Sequence, residues 1–194
     1  MSIHLLETVQ QNLGYPALQK IDRNTQQMVV DASTPNEDKF SQAAIPAVLI
    51  SLYKYAQSDL GAKNILNQKE AYNWVSEIFG DNKNKAIEAI ASYSKQSGEN
   101  PIEKLNAIAN EAIKITHQTL TNESSIEAVK VFFDDQRNNI LLYLPAALNF
   151  GEILHNNALD DATNKMEGPI SSLMQGIGSM FSNPTLTDDI KSSS

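Results

Sequence analysis

Three histidines, His4, His117 and His155, are the residues of this chain best suited to acid–base or metal chemistry. No cysteine accompanies them, which excludes disulfides and cysteine-based zinc or redox sites. A zinc site needs several ligands at close spacing, as in His-Glu-x-x-His, where a four-residue step puts both imidazoles on one helix face. His4 stands near the first residue. His117, in Ile115-Thr116-His117-Gln118, has no acid four residues on. His155 is followed by Asn156, Asn157, Asp160 and Asp161, and on a helix His155, Asn156 and Asp160 would converge loosely into a polar site. A solvated polar turn is the competing and better-supported reading of that run.

Other polar clusters fail on spacing. Asp134-Asp135-Gln136-Arg137 offers two acids, but sequence neighbours point about 100° apart on a helix. A surface ion pair with Arg137 is expected instead of shared acid–base work. Asp81-Asn82-Lys83 starts like a calcium loop, yet lysine holds the third place and no glycine or closing glutamate follows; a turn and helix cap is expected. Gly176-Ile177-Gly178 lacks the strand that a dinucleotide loop requires, and no nucleophile elbow or P-loop occurs. The sequence assigns no catalytic residue, cofactor-binding residue, metal ligand or cofactor.

The sharper signal is apolar. Ile170, Leu173, Met174, Ile177, Met180 and Phe181 fall three or four apart behind Pro169. Ser171, Ser172, Gln175 and Ser179 form the other face, and no charge lies between Glu167 and Asp188. Gly176 and Gly178 each weaken such a helix by roughly 1 kcal/mol relative to alanine, so it must lean on something. Docking on its own core, on a second copy or on another protein are the available outcomes. A lipid surface is disfavoured, because the basic residues that accompany interfacial helices are missing. Tyr53-Lys54-Tyr55 and Tyr72-Asn73-Trp74 add aromatics of the kind that anchor interfaces, although such residues fill cores more often.

The elements that must position these residues read as helices almost throughout, and strand alternation with paired turn signals is missing. Thr34-Pro35-Asn36-Glu37 and Asn100-Pro101-Ile102-Glu103 read as cap, first-turn proline and acid, and Ser124-Ser125-Ile126-Glu127 as a capping box. Ile102, Leu105, Ile108, Ala109, Ala112, Ile113 and Thr116 form a one-sided stripe. The spacing predicts helices near 3–13, 16–31, 35–57, 59–67, 70–79, 82–97, 101–120, 125–138, 139–157, 159–166 and 169–181. The expected fold is all-α, a bundle of about 8–11 helices without a sheet, some of them short or kinked at proline. One helical domain is expected over 1–181, with possible subdomains 1–67 and 70–181, followed by a flexible acidic, serine-rich tail at 182–194.

One phrase occurs twice. Ile45-Pro46-Ala47-Val48-Leu49 and Leu144-Pro145-Ala146-Ala147-Leu148 both set proline and small residues inside an apolar run. Proline either starts a helix or bends one. The residues downstream disagree in register, Ser51-Leu52-Tyr53-Lys54 against Phe150-Gly151-Glu152-Ile153, so two uses of one device are expected instead of a duplication.

Charge and length set the outer bounds. A chain of 194 residues buries a core without staples. Its net charge of −8 disfavours nucleic acid, which needs clustered Lys and Arg, and opposes adsorption to anionic lipid. Glu7 interrupts the first apolar residues and no basic residue precedes them, so no signal peptide is read, and a cytoplasmic location is the default.

Two stretches carry a family resemblance. Pro46 to Leu52 is followed by Ser58-Asp59-Leu60-Gly61-Ala62, and Ile78-Phe79-Gly80-Asp81 by Ala86 to Tyr93, Ser97-Gly98 and Ile102-Glu103-Lys104-Leu105. This resembles the YidB-like family of small bacterial proteins, over roughly residues 3–120. The chain departs from that pattern at Ala109-Asn110, where many members have a second Ala-Pro, and it lacks the family's glycine-rich linkers. The resemblance implies an all-helical, self-associating bacterial protein and transfers no catalytic residue. The expected function is therefore non-catalytic: a binding or scaffold protein whose partner is itself or another protein, meeting through the Ile170–Phe181 face. The alternatives are a small-molecule-binding or hydrolytic protein, with a site at His117 or at His155 with Asp160 and Asp161, and a peripheral membrane protein.

Overall fold

A computed structural model of the chain describes residues 3–21, 35–68, 70–95, 100–121 and 124–154. Among them are eight α-helices, two 3-10 helices and no strand, the all-α architecture expected. All of these residues fall within one compact unit, Met1–Asn164. No described helix is long and apolar enough to cross a membrane.

The centre of the fold is α2, Asn36–Ala56. Every residue from Lys39 to Leu52 is buried. A helix that is apolar on all sides has to be surrounded, and α2 packs against α1 (Leu5–Asn12), α3 (Asp59–Asn67), α4 (Trp74–Phe79), α5 (Lys83–Ser94), α6 (Pro101–Thr119) and α7 (Ile126–Leu141). It thus meets helices on both sides of residues 67–70. Its buried hydroxyls bond back to its own turns, Ser41 to the Asp38 carbonyl and Ser51 to the Ala47 carbonyl, and so need no partner elsewhere.

Pro46 lies inside α2, which continues through it. The ring has no N–H to donate to the Gln42 carbonyl four residues back, and the surrounding packing holds the helix together there. Pro145 behaves otherwise. Where one helix was expected over 139–157, α7 stops at Leu141, residues 142–143 turn and residues 144–145 are irregular. A 3-10 helix, Ala146–Leu148, follows, then Asn149 in the left-handed region, then α8, Phe150–Ile153. The helical region is disfavoured for a residue before proline, and Leu144 leaves it, whereas Ile45 before Pro46 stays helical. The shared phrase therefore has two fates, one internal to a helix and one terminating it.

Other boundaries move as well. Residues 15–21 are not helical, against the expected helix 16–31, whose remainder lies outside the described residues. The helix expected over 70–79 starts only at Trp74. The cap expected at Ser124 sits one residue later, where Ser125 Oγ accepts the Ala128 N–H at 3.0 Å. The stripe on α6 holds: Leu105, Ile108, Ala109, Ala112, Ile113 and Thr116 are buried and Ile102 packs at its margin. The turn into α3 needs its glycine. Ser58 Oγ caps the Gly61 N–H at 3.0 Å, and a Cβ on Gly61 would stand 2.0 Å from the Tyr55 carbonyl oxygen.

Candidate functional site

The polar residues of α6 lie beside its buried stripe, and three of them, Asn106, Asn110 and His117, fall at i, i+4 and i+11, one face of the helix. That face grips the backbone at Ile65, Tyr72 and Val75. Asn110 Oδ1 accepts the Tyr72 N–H at 2.9 Å, and its Nδ2 donates to the Tyr72 carbonyl at 3.0 Å and the Asn106 carbonyl at 2.8 Å. Asn106 Oδ1 accepts the Val75 N–H at 3.0 Å. Val75 is in the first turn of α4, whose N–H groups have no partner within the helix, and the side chain of Asn73 leaves them uncapped. The cap is supplied from a neighbouring helix.

His117 does the same at the other polarity. Its Nε2 lies 2.6 Å from the carbonyl oxygen of Ile65, in the last turn of α3. A carbonyl only accepts, so Nε2 carries the proton, and in the neutral ring Nδ1 holds the lone pair. A donor at a helix C-terminus also meets the negative end of the helix dipole.

A groove of about 350 Å³ opens along this face, between α6 and Gln68, Glu70 and Ala71. Ala107, Ile113 and Ala71 form its apolar part; Glu70, Glu111, Lys114 and His117 bring ionisable groups. Glu111 is held by Asn12 Nδ2 at 2.8 Å and by Lys114 Nζ at 3.1 Å.

A second polar cluster sits where α2, α3 and α4 meet. Trp74 is buried and stands edge-on to Tyr72, with ring centroids 5.0 Å apart, and to Tyr55 at 6.3 Å. Both phenols donate to Glu77, Tyr72 at 3.1 Å and Tyr55 at 3.3 Å, and Asn64 donates to the Tyr55 hydroxyl at 2.8 Å. Burial raises the Tyr55 hydroxyl above the ordinary tyrosine value, the Asn64 bond opposes this, and Glu77 adds to it. The Tyr72 hydroxyl is raised first by its bond to Glu77. Both phenols are therefore held in the protonated, donating form. The aromatics at 53–55 and 72–74 serve packing here, while Tyr72 keeps an exposed edge.

Two buried glutamines complete the polar interior. Gln42, 2% exposed, accepts the Gln19 N–H at 2.8 Å and donates to the carbonyls of Gln19 at 3.0 Å and Tyr143 at 2.9 Å. The Ile21 N–H bonds the Leu142 carbonyl at 2.8 Å. Residues 19–21 are thereby stitched to α2 and to the turn after α7. Gln136 accepts the Leu5 N–H at 3.0 Å, an orphan of the first turn of α1.

The sequence-derived site residues divide sharply. Ile170, Leu173, Met174, Ile177, Met180 and Phe181 lie outside the described residues, as do His155, Asn156, Asp160 and Asp161. His4 is exposed at the start of α1. Arg137 does not pair with Asp134 or Asp135; it donates to Asn138 at 3.3 Å and its guanidinium lies 5.9 Å from the centre of the Tyr53 ring. Asp81 and Asn82 form the 3-10 turn Gly80–Asn82 before α5, as a turn reading requires. Among the described residues no group of three or more His, Asp or Glu comes together to hold a metal. Asn106, Asn110, Gln42 and Gln136 were not singled out for roles from the sequence. Their signal was available for α6, where asparagines four apart border an apolar stripe. No family model, curated protein or solved structure matches this chain.

Proposed function

We propose that this protein acts in the cytoplasm by binding and not by catalysis, meeting a second copy of itself or another protein through an apolar helix face. The observation that carries this reading is the run Ile170, Leu173, Met174, Ile177, Met180 and Phe181, an uncharged amphipathic pattern too glycine-rich to stand alone. The use of the polar side chains supports it. His117, Asn106, Asn110, Gln42 and Gln136 are committed to backbone groups of their own fold. Such an arrangement builds a rigid scaffold that can present a binding face. Leu60 and Val131 add exposed apolar side chains, each next in sequence to a member of the Asp59–Lys130 ion pair that joins α3 to α7. The resemblance of residues 3–120 to the YidB-like family, whose pattern implies self-association, goes with the same reading.

Light scattering after size exclusion tests it on the full chain and on a chain ending at Glu167. An oligomer that becomes monomeric on truncation is the expected result. A monomeric full chain with no change on truncation excludes self-association through this segment. A second reading, small-molecule binding, is favoured by the groove along α6, where polar and apolar side chains line a volume of ligand size.

A further inference from the structure

Lys54 is a cation without a counterion. It stands half-buried in the last turn of α2 and makes no hydrogen bond or ion pair among the described residues. The negative pole of α2 is near it, but that pole carries only about half a charge. Glu77 of α4 accepts the phenols of Tyr55 and Tyr72 and does not pair with it. Burial lowers the Lys54 ammonium below the ordinary lysine value, and no carboxylate offsets this. The side chain gives up hydration without gaining an acid, in a chain where 23 acids outnumber 15 bases. A cavity of about 170 Å³ lies beside it, where the C-terminal ends of α2, α4 and α8 come together. Ile78, Phe79 and Leu154, all buried, and Ile153 at their margin form its apolar wall. Lys54 is the single charged residue among the described lining residues. The Tyr55 hydroxyl, from the same turn of α2, already donates to Glu77 and accepts from Asn64.

We propose that this cavity binds a small organic monocarboxylate, its carboxylate on the Lys54 ammonium and its short apolar tail against Ile78, Phe79 and Leu154. The site is separate from the groove along α6 and does not depend on it. One ammonium balances one negative charge, and the net charge of −8 opposes a dianion such as phosphate. The ammonium supplies up to three N–H donors to the two carboxylate oxygens, a charge-assisted contact about twice as strong as a neutral one. The apolar wall supplies the rest, since a hydrocarbon tail gains by leaving water. The volume selects a tail of a few carbons, because it falls below the roughly 300 Å³ at which sites for drug-sized ligands begin.

The test is NMR titration of the full-length, methyl-labelled protein with hexanoate, with hexanamide as its neutral counterpart and acetate as the carboxylate without a tail. Hexanoate is expected to shift the methyls of Ile78, Ile153 and Leu154, with hexanamide and acetate each binding at least tenfold more weakly. Lys54→Met keeps the apolar stem and removes the charge. It is expected to weaken hexanoate binding about tenfold, the usual loss for a charged hydrogen bond, and to leave hexanamide as it was. Lys54→Arg restores the charge and is expected to restore hexanoate binding, which separates loss of the ammonium from damage to the fold. Silence from hexanoate overturns the proposal. Equal binding of hexanoate by Lys54→Met, or equal binding of hexanoate and hexanamide by the parent protein, overturns it too. Acetate binding as tightly as hexanoate overturns the apolar wall as part of the site.

Discussion

Gln42 and Asn110 make the same contact at two depths. Each amide faces the backbone of one distant residue and takes both its N–H and its C=O, as a neighbouring strand would: Gln42 with Gln19, Asn110 with Tyr72. Each then uses its second proton on another carbonyl, that of Tyr143 or of Asn106. Gln42 is buried in the middle of α2, whereas Asn110 is half-buried on the groove side of α6. In this helical protein, amide side chains fasten the irregular backbone that helices cannot pair. Depth decides how much each fastening matters, because water can replace a lost partner at Asn110 and has little access at Gln42.

The comparison is broken most severely by Gln42→Glu. A carboxylate there faces the carbonyls of Gln19 and Tyr143 with no proton to give. Urea unfolding at pH 7 is expected to show a loss of about 3–5 kcal/mol, the range for an uncompensated buried charge. Burial and the facing carbonyls place the folded-state value of this carboxyl above its unfolded value of about 4.3. The variant therefore recovers stability below that unfolded value and loses it as pH rises through the folded one. A flat pH profile relative to the parent protein would contradict the geometry. Next comes Gln42→Leu, which removes the amide without adding charge and strands three backbone groups. A loss of about 3 kcal/mol is expected from the midpoint of urea unfolding.

Asn110→Ala tests the shallower clamp. Its expected loss is about 1 kcal/mol, with faster amide exchange at Tyr72 and little change at Gln19. A loss equal to that of Gln42→Leu would show that depth is not what separates the two sites. The smallest effect belongs to the exposed pair of Asp59 and Lys130, 2.6 Å apart. The bond from Lys130 lowers the Asp59 carboxyl below the ordinary aspartate range, and the bond to Asp59 raises Lys130. Their contribution is present between those limits. It fades as pH falls through the lowered aspartate value and as pH rises through the raised lysine value. Asp59 stands in solvent and Lys130 is partly exposed, so Asp59→Asn is expected to leave the unfolding midpoint at pH 7 unchanged within error.

What could be read from the sequence follows from range. The α6 stripe was legible because Leu105, Ile108, Ala112 and Thr116 repeat at the helical period and all face one core. The turn at Ser58 was legible because its cap acts within three residues. Residues 16–21 were misassigned because what holds them is a glutamine 23 positions away, and no local window contains it. Gln42 itself was hidden by α2: where every neighbour is buried, periodicity no longer distinguishes faces, and one polar residue carries no directional signal. The same loss of contrast left Pro46 ambiguous, while Pro145 could be placed only once α7 was seen to end at Leu141. For the candidate site, the asparagines four apart on α6 were visible as letters, but the backbone they serve is more than thirty residues earlier.

The burial of α2 has a consequence during synthesis. The helix is complete once residue 56 has emerged, but α7, one of its principal neighbours, ends at residue 141, 85 residues later. At ribosomal rates of about 5–20 residues per second, that interval lasts roughly 4–17 seconds. Throughout it, the wall around this apolar helix is incomplete, since α3 to α6 arrive one after another and α7 last. Residues 36–56 are thus made early and fully covered late, when α7 closes over them.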